Sequence, residues 1–357
     1  MKNLSFFNII VFLINNLVAF ALLVSYLAWF INPSDLPIAG VIALGVPILM
    51  GVNLIFVLYW LILRKRQFFL STFCLLLGWW HFNALHQFSP KNPAESREDS
   101  FRVMSYNVRI FHFPGPHLWH ETPPAMERMA DSLKPDVFCM QEFLAGGNWV
   151  PNFKHKYKYV ADLKGFTLAI YSNYKFLDKG EVAYPVKNGG YGRFIYADIL
   201  RGNDTLRIVN VHLMSVRLKN TDLQTFTQIE DADEEKVKRS AKEIYKRLIL
   251  AYKTRGIQVE SISNFIESSP YPVILCGDFN DTPTSFAYRK LTAQLKDSYV
   301  LAGSSVAATH TRFSHYNIPM RIDHIFADAR LSPSNWQIVK KVHSDHFPVM
   351  VDYELKQ

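Results

Sequence analysis

The sequence predicts a mixed α/β sandwich preceded by an all-α transmembrane region. Two long apolar stretches without a charged residue, Asn3–Ser34 and Leu36–Leu63, open the chain. From about residue 100 onward, short β-branched apolar runs alternate with segments whose apolar residues recur at helical spacing. Several of those runs are separated only by turns. Neighbouring parallel strands need a crossover between them, so the pattern points to mixed sheets rather than a doubly wound parallel one.

Apolar runs of roughly 20 residues are long enough to cross a bilayer. The sequence predicts three spans, at about 6–30, 38–63 and 68–87, within an anchor formed by residues 1–90. The first run exceeds the apolar region of a signal peptide, and no small-residue cleavage site follows it, which argues against a cleaved leader. The third has only His81 and His86 as titratable groups, and its apolar core, Phe68–Trp80, is short. Orientation follows from the basic residues. The loop after the second span is Arg64-Lys65-Arg66, whereas the loop after the first holds Asp35 and no Lys or Arg. The positive-inside rule places 64–66 in the cytoplasm and everything beyond the third span on the opposite side. For a bacterial chain this means the inner membrane, with the C-terminal domain in the periplasm. A re-entrant third segment reverses that side.

Residues 91–100, polar and Pro-containing, read as a linker, and 101–357 as the soluble domain. Strands are predicted at Phe101–Asn107, Asp136–Met140, Thr167–Tyr171, Phe194–Ile199, Leu206–His212, Val273–Cys276, Ile322–Phe326 and Val349–Tyr353. Pro123–Leu133 reads as a helix, with Met126, Met129, Ala130 and Leu133 at helical spacing. From Asp231 to about Ile266 one or two amphipathic helices are predicted, with Val237, Ala241, Ile244 and Leu248 on one face.

The net charge is +8. Lys2, Arg64, Lys65 and Arg66 against Asp35 give the anchor +3, which leaves +5 for the remainder. A mild excess of this kind suits an anionic substrate, or simply a Lys-rich surface, and lacks the basic stripe of a dedicated nucleic-acid binder. Cys139 and Cys276 end apolar strand runs, where cysteine behaves as a small buried hydrophobe; in an oxidising compartment they are also a possible pair.

The chemistry lies in short polar motifs that follow apolar runs, so each polar group emerges at the end of a buried strand. Asn107 lies in M-S-Y-N-V-R, Glu142 in V-F-C-M-Q-E, and His212 in I-V-N-V-H-L. Asp278 and Asn280 lie in V-I-L-C-G-D-F-N-D, Asp323 in R-I-D-H-I-F, and Asp345-His346 in S-D-H-F-P-V. If these strand ends converge, they form a cluster of carboxylates, amides and imidazoles. Such a cluster suits a hard divalent cation and a phosphate ester. Gly277 allows a sharp turn, and Asp278 and Asn280, two apart, share one side of an extended segment; an Asx-turn is the alternative. A His–Asp dyad across strands is an acid–base device, with His212 and Asp323 as partners for the S-D-H residues. Arg109 and Arg193 are phosphate-contact candidates or surface ion pairs. Tyr171 reads as packing.

Taken in order, S-Y-N, Q-E, N-V-H-L, G-D-F-N, R-I-D-H-I and S-D-H-F-P resemble the endonuclease/exonuclease/phosphatase superfamily over about residues 101–355. The resemblance implies a four-layer sandwich of two mixed β-sheets flanked by helices, and hydrolysis of phosphoester bonds with Mg²⁺ or Mn²⁺. It implies Glu142 as the principal metal ligand, with Asn107 and Asp345 near the metal. Asp278 then positions the attacking water, and Asn280 holds phosphoryl oxygens. His346 and His212 are the catalytic imidazoles, supported by Asp345 and Asp323. The implied partners are the membrane and a phosphoester substrate, either nucleic acid or a lipid headgroup. The alternatives are a sphingomyelinase-like or inositol-phosphate-type phosphatase and a non-catalytic ligand-binding member. The segment between His212 and Gly277 departs from the family by its length.

Overall fold

The computed structural model describes residues 4–88, 99–111, 122–143, 152–161, 166–185, 192–217, 234–311, 320–341 and 343–356. Its internal packing separates two compact units. One comprises residues 1–85, 216–256 and 283–289; the other comprises residues 86–215, 257–282 and 290–357. Of the expected linker 91–100, all but the last two positions lie outside the described residues.

The first unit is helical. Helices α1 (Phe6–Leu27) and α2 (Ile38–Ile62) are long and apolar enough to cross a membrane. Ser5 caps α1 by accepting from the Asn8 amide. The polarity is inverted relative to a water-soluble bundle. Phe6, Phe7, Leu17, Phe20, Ile48, Leu54 and Ile55 are exposed, while Asn15, Asn53 and Ser71 are buried. Asn15 donates to Ser71 Oγ at 2.6 Å and accepts from Trp60 Nε1 at 2.9 Å. Polar contacts inside and bare apolar side chains outside suit a lipid surround. The expected third span differs from the reading. It is two short helices, α3 (Phe68–Leu77) and α4 (Trp79–Leu85), bent by 66°. The break falls at Gly78, where any Cβ would collide with the Tyr26 side chain packed against it. Part of the long segment that departs from the family clusters with these helices, Tyr252 filling the space over Gly40; so does the stretch 283–289, where the Thr284 hydroxyl donates to Ala43 O at 2.9 Å.

In the second unit, β1 (His86–Gln87) pairs only with β11 (Ser305–Val306). The two main sheets have six strands each. One runs β13 (Leu331–Ile338), β14 (Val349–Leu355), β2 (Phe101–Asn107), β3 (Val137–Phe143), β5 (Phe166–Ser172), β4 (His155–Ala161). The other runs β10 (Lys296–Asp297), β12 (Asp323–Ala327), β9 (Val273–Asp278), β8 (Asp204–His212), β7 (Arg193–Arg201), β6 (Lys175–Ala183). Each is mixed. A central parallel pair, β2/β3 or β8/β9, is flanked by antiparallel neighbours.

Period-two alternation builds the layers. Val103, Cys139, Ile170, Ile208, Cys276 and Ile325 form the core between the sheets, and both cysteines there are free thiols. Met104, Tyr106, Phe138 and Met140 face the other way, onto Met126, Met129 and Ala130 of α5 (Thr122–Leu133). Against the second sheet lies the end of α6 (Glu234–Glu267), whose Phe265 meets Phe194 and Tyr196 at ring distances of 5.2 and 5.1 Å. Helix, sheet, sheet, helix is the four-layer sandwich, and α6 is one helix rather than two.

Candidate active site

The site lies where the carboxyl ends of both parallel pairs meet. The inner-face positions that carry the core lower in each strand turn polar at its end: Ser105 and Asn107 on β2, Gln141 on β3, Asn210 and His212 on β8, Asp278 on β9. Register aligns them. Asn107 faces Gln141, while His212 and Asp323 flank Asp278 from the two neighbouring strands.

The Asn107 amide nitrogen reaches two carboxylates, Asp278 Oδ2 at 3.0 Å and Glu142 Oε1 at 3.3 Å. His212 Nε2 sits 3.5 Å from Asp278 Oδ2 and 3.7 Å from Glu142 Oε1. His346 turns Nδ1 to Asp323 Oδ2 at 2.9 Å and Nε2 toward Asp278 Oδ2 at 3.6 Å. Asp345 instead turns to Arg109, 3.2 Å away, so the dyad partner of His346 is Asp323 and not its neighbour in sequence. Arg193 is held elsewhere, in a half-exposed pair with Glu181 at 2.6 Å. Tyr171 is fully buried among Phe143 and Phe153, as packing.

Two local readings are revised. The segment after Gly277 is not extended, because Asn280 has φ of 50° and its backbone N–H donates to Asp278 Oδ1 at 2.8 Å. The Asx-turn and the carboxylate cluster coexist, and the Asn280 side-chain amide donates to Leu213 O at 3.1 Å. Gly277 itself lies within β9. Its φ is 154°, and a Cβ there would strike the Val211 carbonyl of the adjacent parallel strand. Close strand approach, not a turn, requires the glycine.

Residues outside the predicted set complete the frame. The register between β3 and β5 slips after Met140, and Glu142 there has φ of 49°. This bulge, with a non-glycine residue in the left-handed region, turns the Glu142 side chain out of the ladder toward Asn107. Fully buried Asn210 takes up the open carbonyls, donating to Met140 O and Ala169 O, both at 2.9 Å. Its own oxygen accepts from Gln141 Nε2 at 2.7 Å. Ser344 ties the last motif to the first, donating to Asn107 O at 2.8 Å. The His310 ring stands 4.7 Å from that of His346. The signal for Asn210 was present in the sequence: it precedes His212 by two, on the same strand face, so it points inward.

Burial pushes the Glu142 carboxyl up, against the pull of His346 and the Asn107 hydrogen bond. Asp278 rises to about 7, first through burial and then through Asp323, although His346 draws it down. For His346 burial alone lowers the value, but Asp323 and Asp278 outweigh it and hold the imidazolium up to about 10. The cluster therefore crowds buried oxygen donors whose negative charge lacks full compensation, which fits a hard cation. Asp278, Asp323 and His346 also have ligand atoms within 4.8 Å of one another. A protonated imidazole offers no lone pair, however, so the Glu142 and Asp278 side of the cluster is the better cation seat.

A family model described as the endonuclease/exonuclease/phosphatase family matches residues 104–346. The chain belongs to this family. A model for a domain of unknown function matches residues 8–85. Solved structures share the fold. A family member from Bacteroides thetaiotaomicron is 18% identical, with a TM-score of 0.51 over 71% of this chain and 94% of that one. D. rerio TDP2 complexed with a single-strand DNA product is 18% identical, with a TM-score of 0.52 over 72% and 100%. The human Nocturnin catalytic domain with bound sulfate is 14% identical, with a TM-score of 0.51 over 72% and 95%. No curated protein matches the chain. Members of the family are typically phosphoester hydrolases, and this chain is one at family level.

Proposed function

We propose that this is a membrane-anchored, metal-dependent phosphodiesterase. The observation that carries the reading is the convergence of Glu142, Asp278 and Asn107 with the His346–Asp323 pair at one end of the sandwich. A divalent cation, Mg²⁺ or Mn²⁺, held by Glu142 and Asp278 would supply charge stabilisation at the phosphoryl oxygens. The remaining work belongs to the side chains. Asp278, fixed by the Asn280 backbone, orients the attacking water; as the water oxygen bonds to phosphorus the ester P–O bond breaks, and the water's proton passes to the leaving oxygen. His346, fixed by Asp323, directs its Nε2–H at a phosphoryl oxygen, and His212 stands within reach of the same point. Arg109, paired with Asp345, borders the cluster as a phosphate contact. The Asn280 backbone fixes Asp278, and its amide lies beside it. Arg193 has no part in this reading.

The apolar helices support anchoring in the membrane, and the basic loop Arg64–Arg66 supports a catalytic domain on the extracytoplasmic side. Nucleic acid is the favoured substrate class, with a lipid headgroup as the second reading because a tether raises the local concentration of membrane lipid. The test is hydrolysis by the full chain in nanodiscs of single-stranded DNA, RNA and a phospholipid panel across a salt series. We expect nucleic-acid cleavage that weakens steeply with salt, since several phosphates are contacted together. Cleavage confined to phospholipid overturns the substrate; silence on all three overturns the activity.

A further inference from the structure

The second unit holds a cationic recess that the mechanism leaves unused. It has a volume of about 440 Å³ and is lined by Ala125, Arg128, Met129, Ser132, Lys341 and His343. On α5, residues 125, 128, 129 and 132 follow i, i+3, i+4, i+7 spacing and share one face. Of the acids of that helix, Glu127 points away from this face, and Asp131, three residues after Arg128, borders it. Buried Met129 forms an apolar floor, while Arg128 and Lys341 are exposed at the rim. Among the described residues, none of Arg128, Lys341 and His343 has an ion-pair partner. Burial, then Lys341 and Arg128, push the His343 imidazole toward its neutral form. Among the described residues the lining of the recess is thus positive, Arg128 and Lys341 against Asp131 at its border.

Its position relative to the cluster is fixed by the chain. His343 is followed by Ser344, which is bonded to Asn107 O, and then by Asp345 and His346. Three residues span at most about 11 Å between Cα atoms. Successive phosphates on one nucleic-acid strand advance roughly 3.4 Å along the axis, so an anion in the recess lies within a few nucleotides of one at His346. A phospholipid with a single phosphate offers no second one at that spacing.

We propose that the recess between α5 and the residues Lys341 and His343 is a subsite for a second phosphate of a polynucleotide strand whose scissile phosphate lies at the His346 cluster. This rests on the phosphodiesterase reading and sharpens its substrate class. Arg128 supplies a forked donor and Lys341 a point charge, both suited to phosphate oxygens.

The test is fluorescence anisotropy of a short labelled single-stranded DNA with the full chain in nanodiscs, under chelator so that no turnover occurs. In Arg128→Gln/Lys341→Gln the Kd should rise about tenfold, and the slope of log Kd against log salt should fall by about 0.7, the loss of one single-strand phosphate contact. Lys341→Glu should weaken binding further, and Lys296→Gln, which removes an exposed charge outside the recess, should leave it unchanged. A Kd within twofold of the parent in both recess variants overturns the subsite. Hydrolysis of bis(p-nitrophenyl) phosphate by the unaltered chain separately tests the reading beneath it. Recess-dependent binding without such hydrolysis keeps the subsite and removes the enzyme; hydrolysis with unaltered binding does the reverse.

Discussion

Asp278→Asn should abolish hydrolysis and at the same time stabilise the metal-free chain at alkaline pH. The activity loss is expected at roughly 10³-fold or more in kcat, the scale on which enzymes lose a water-orienting carboxylate and an electrostatic anchor together. The stability gain has a defined sign. Burial raises the Asp278 carboxyl from 3.8 to about 7 in the folded chain, so its proton favours folding. That contribution is complete below about 3.8 and is lost as the pH rises through about 7. Above that pH the folded chain carries a buried charge beside Glu142 and Asp323. The amide removes it. The Tm of chelated Asp278→Asn should therefore exceed that of the parent at pH 8.5, with the gap closing toward pH 5. An acid placed only for stability would show the opposite: a variant less stable at every pH and little changed in rate.

Asn210→Ala should be the most damaging change among residues that touch no reacting group. It leaves the Met140 and Ala169 carbonyls buried without their donor and takes a partner from Gln141. Gln141 Nε2 keeps Ser105 Oγ, whereas each of the two carbonyls costs about 1–3 kcal/mol, so a loss of roughly 2–6 kcal/mol is expected. The same carbonyls lie at the bulge that turns Glu142 inward, so the effect is not confined to stability. Hydrolysis measured well below the lowered Tm should require more metal for half-maximal rate, because Glu142 is no longer held. Chemical denaturation and a metal titration of the rate check the two parts. Lower stability with an unaltered metal requirement would show that Asn210 only joins the sheets.

The polar strand ends were legible because a buried strand has period two and its inner face announces itself. Val103, Ser105, Asn107 and Ile208, Asn210, His212 pass from apolar to polar along one face, and each polar member came to rest in the site or its frame. Adjacent pairs were harder to read. Asp345 and His346 point to different partners, and only the folded register shows that Asp323 is the one that meets His346. Among strands longer than two residues, those that escaped the sequence reading, β4, β6 and β13, are all sheet edges. An edge strand has one neighbour and stays largely in water, so it keeps charges, as β6 does in K-F-L-D-K-G-E-V-A, or a proline, as β13 does at Pro333. The bend at Gly78 was hidden for another reason. Hydropathy sums over a window and does not register where Tyr26 needs room.

A divalent cation seated by Glu142 and Asp278 should support phosphodiester hydrolysis at this cluster. The most direct test is the initial rate of bis(p-nitrophenyl) phosphate hydrolysis by the metal-stripped full chain as Mn²⁺ or Mg²⁺ is restored, beside Glu142→Gln. The rate should rise saturably with metal in the parent and stay near background in the variant. A rate independent of added metal, or equal in the two proteins, would contradict it.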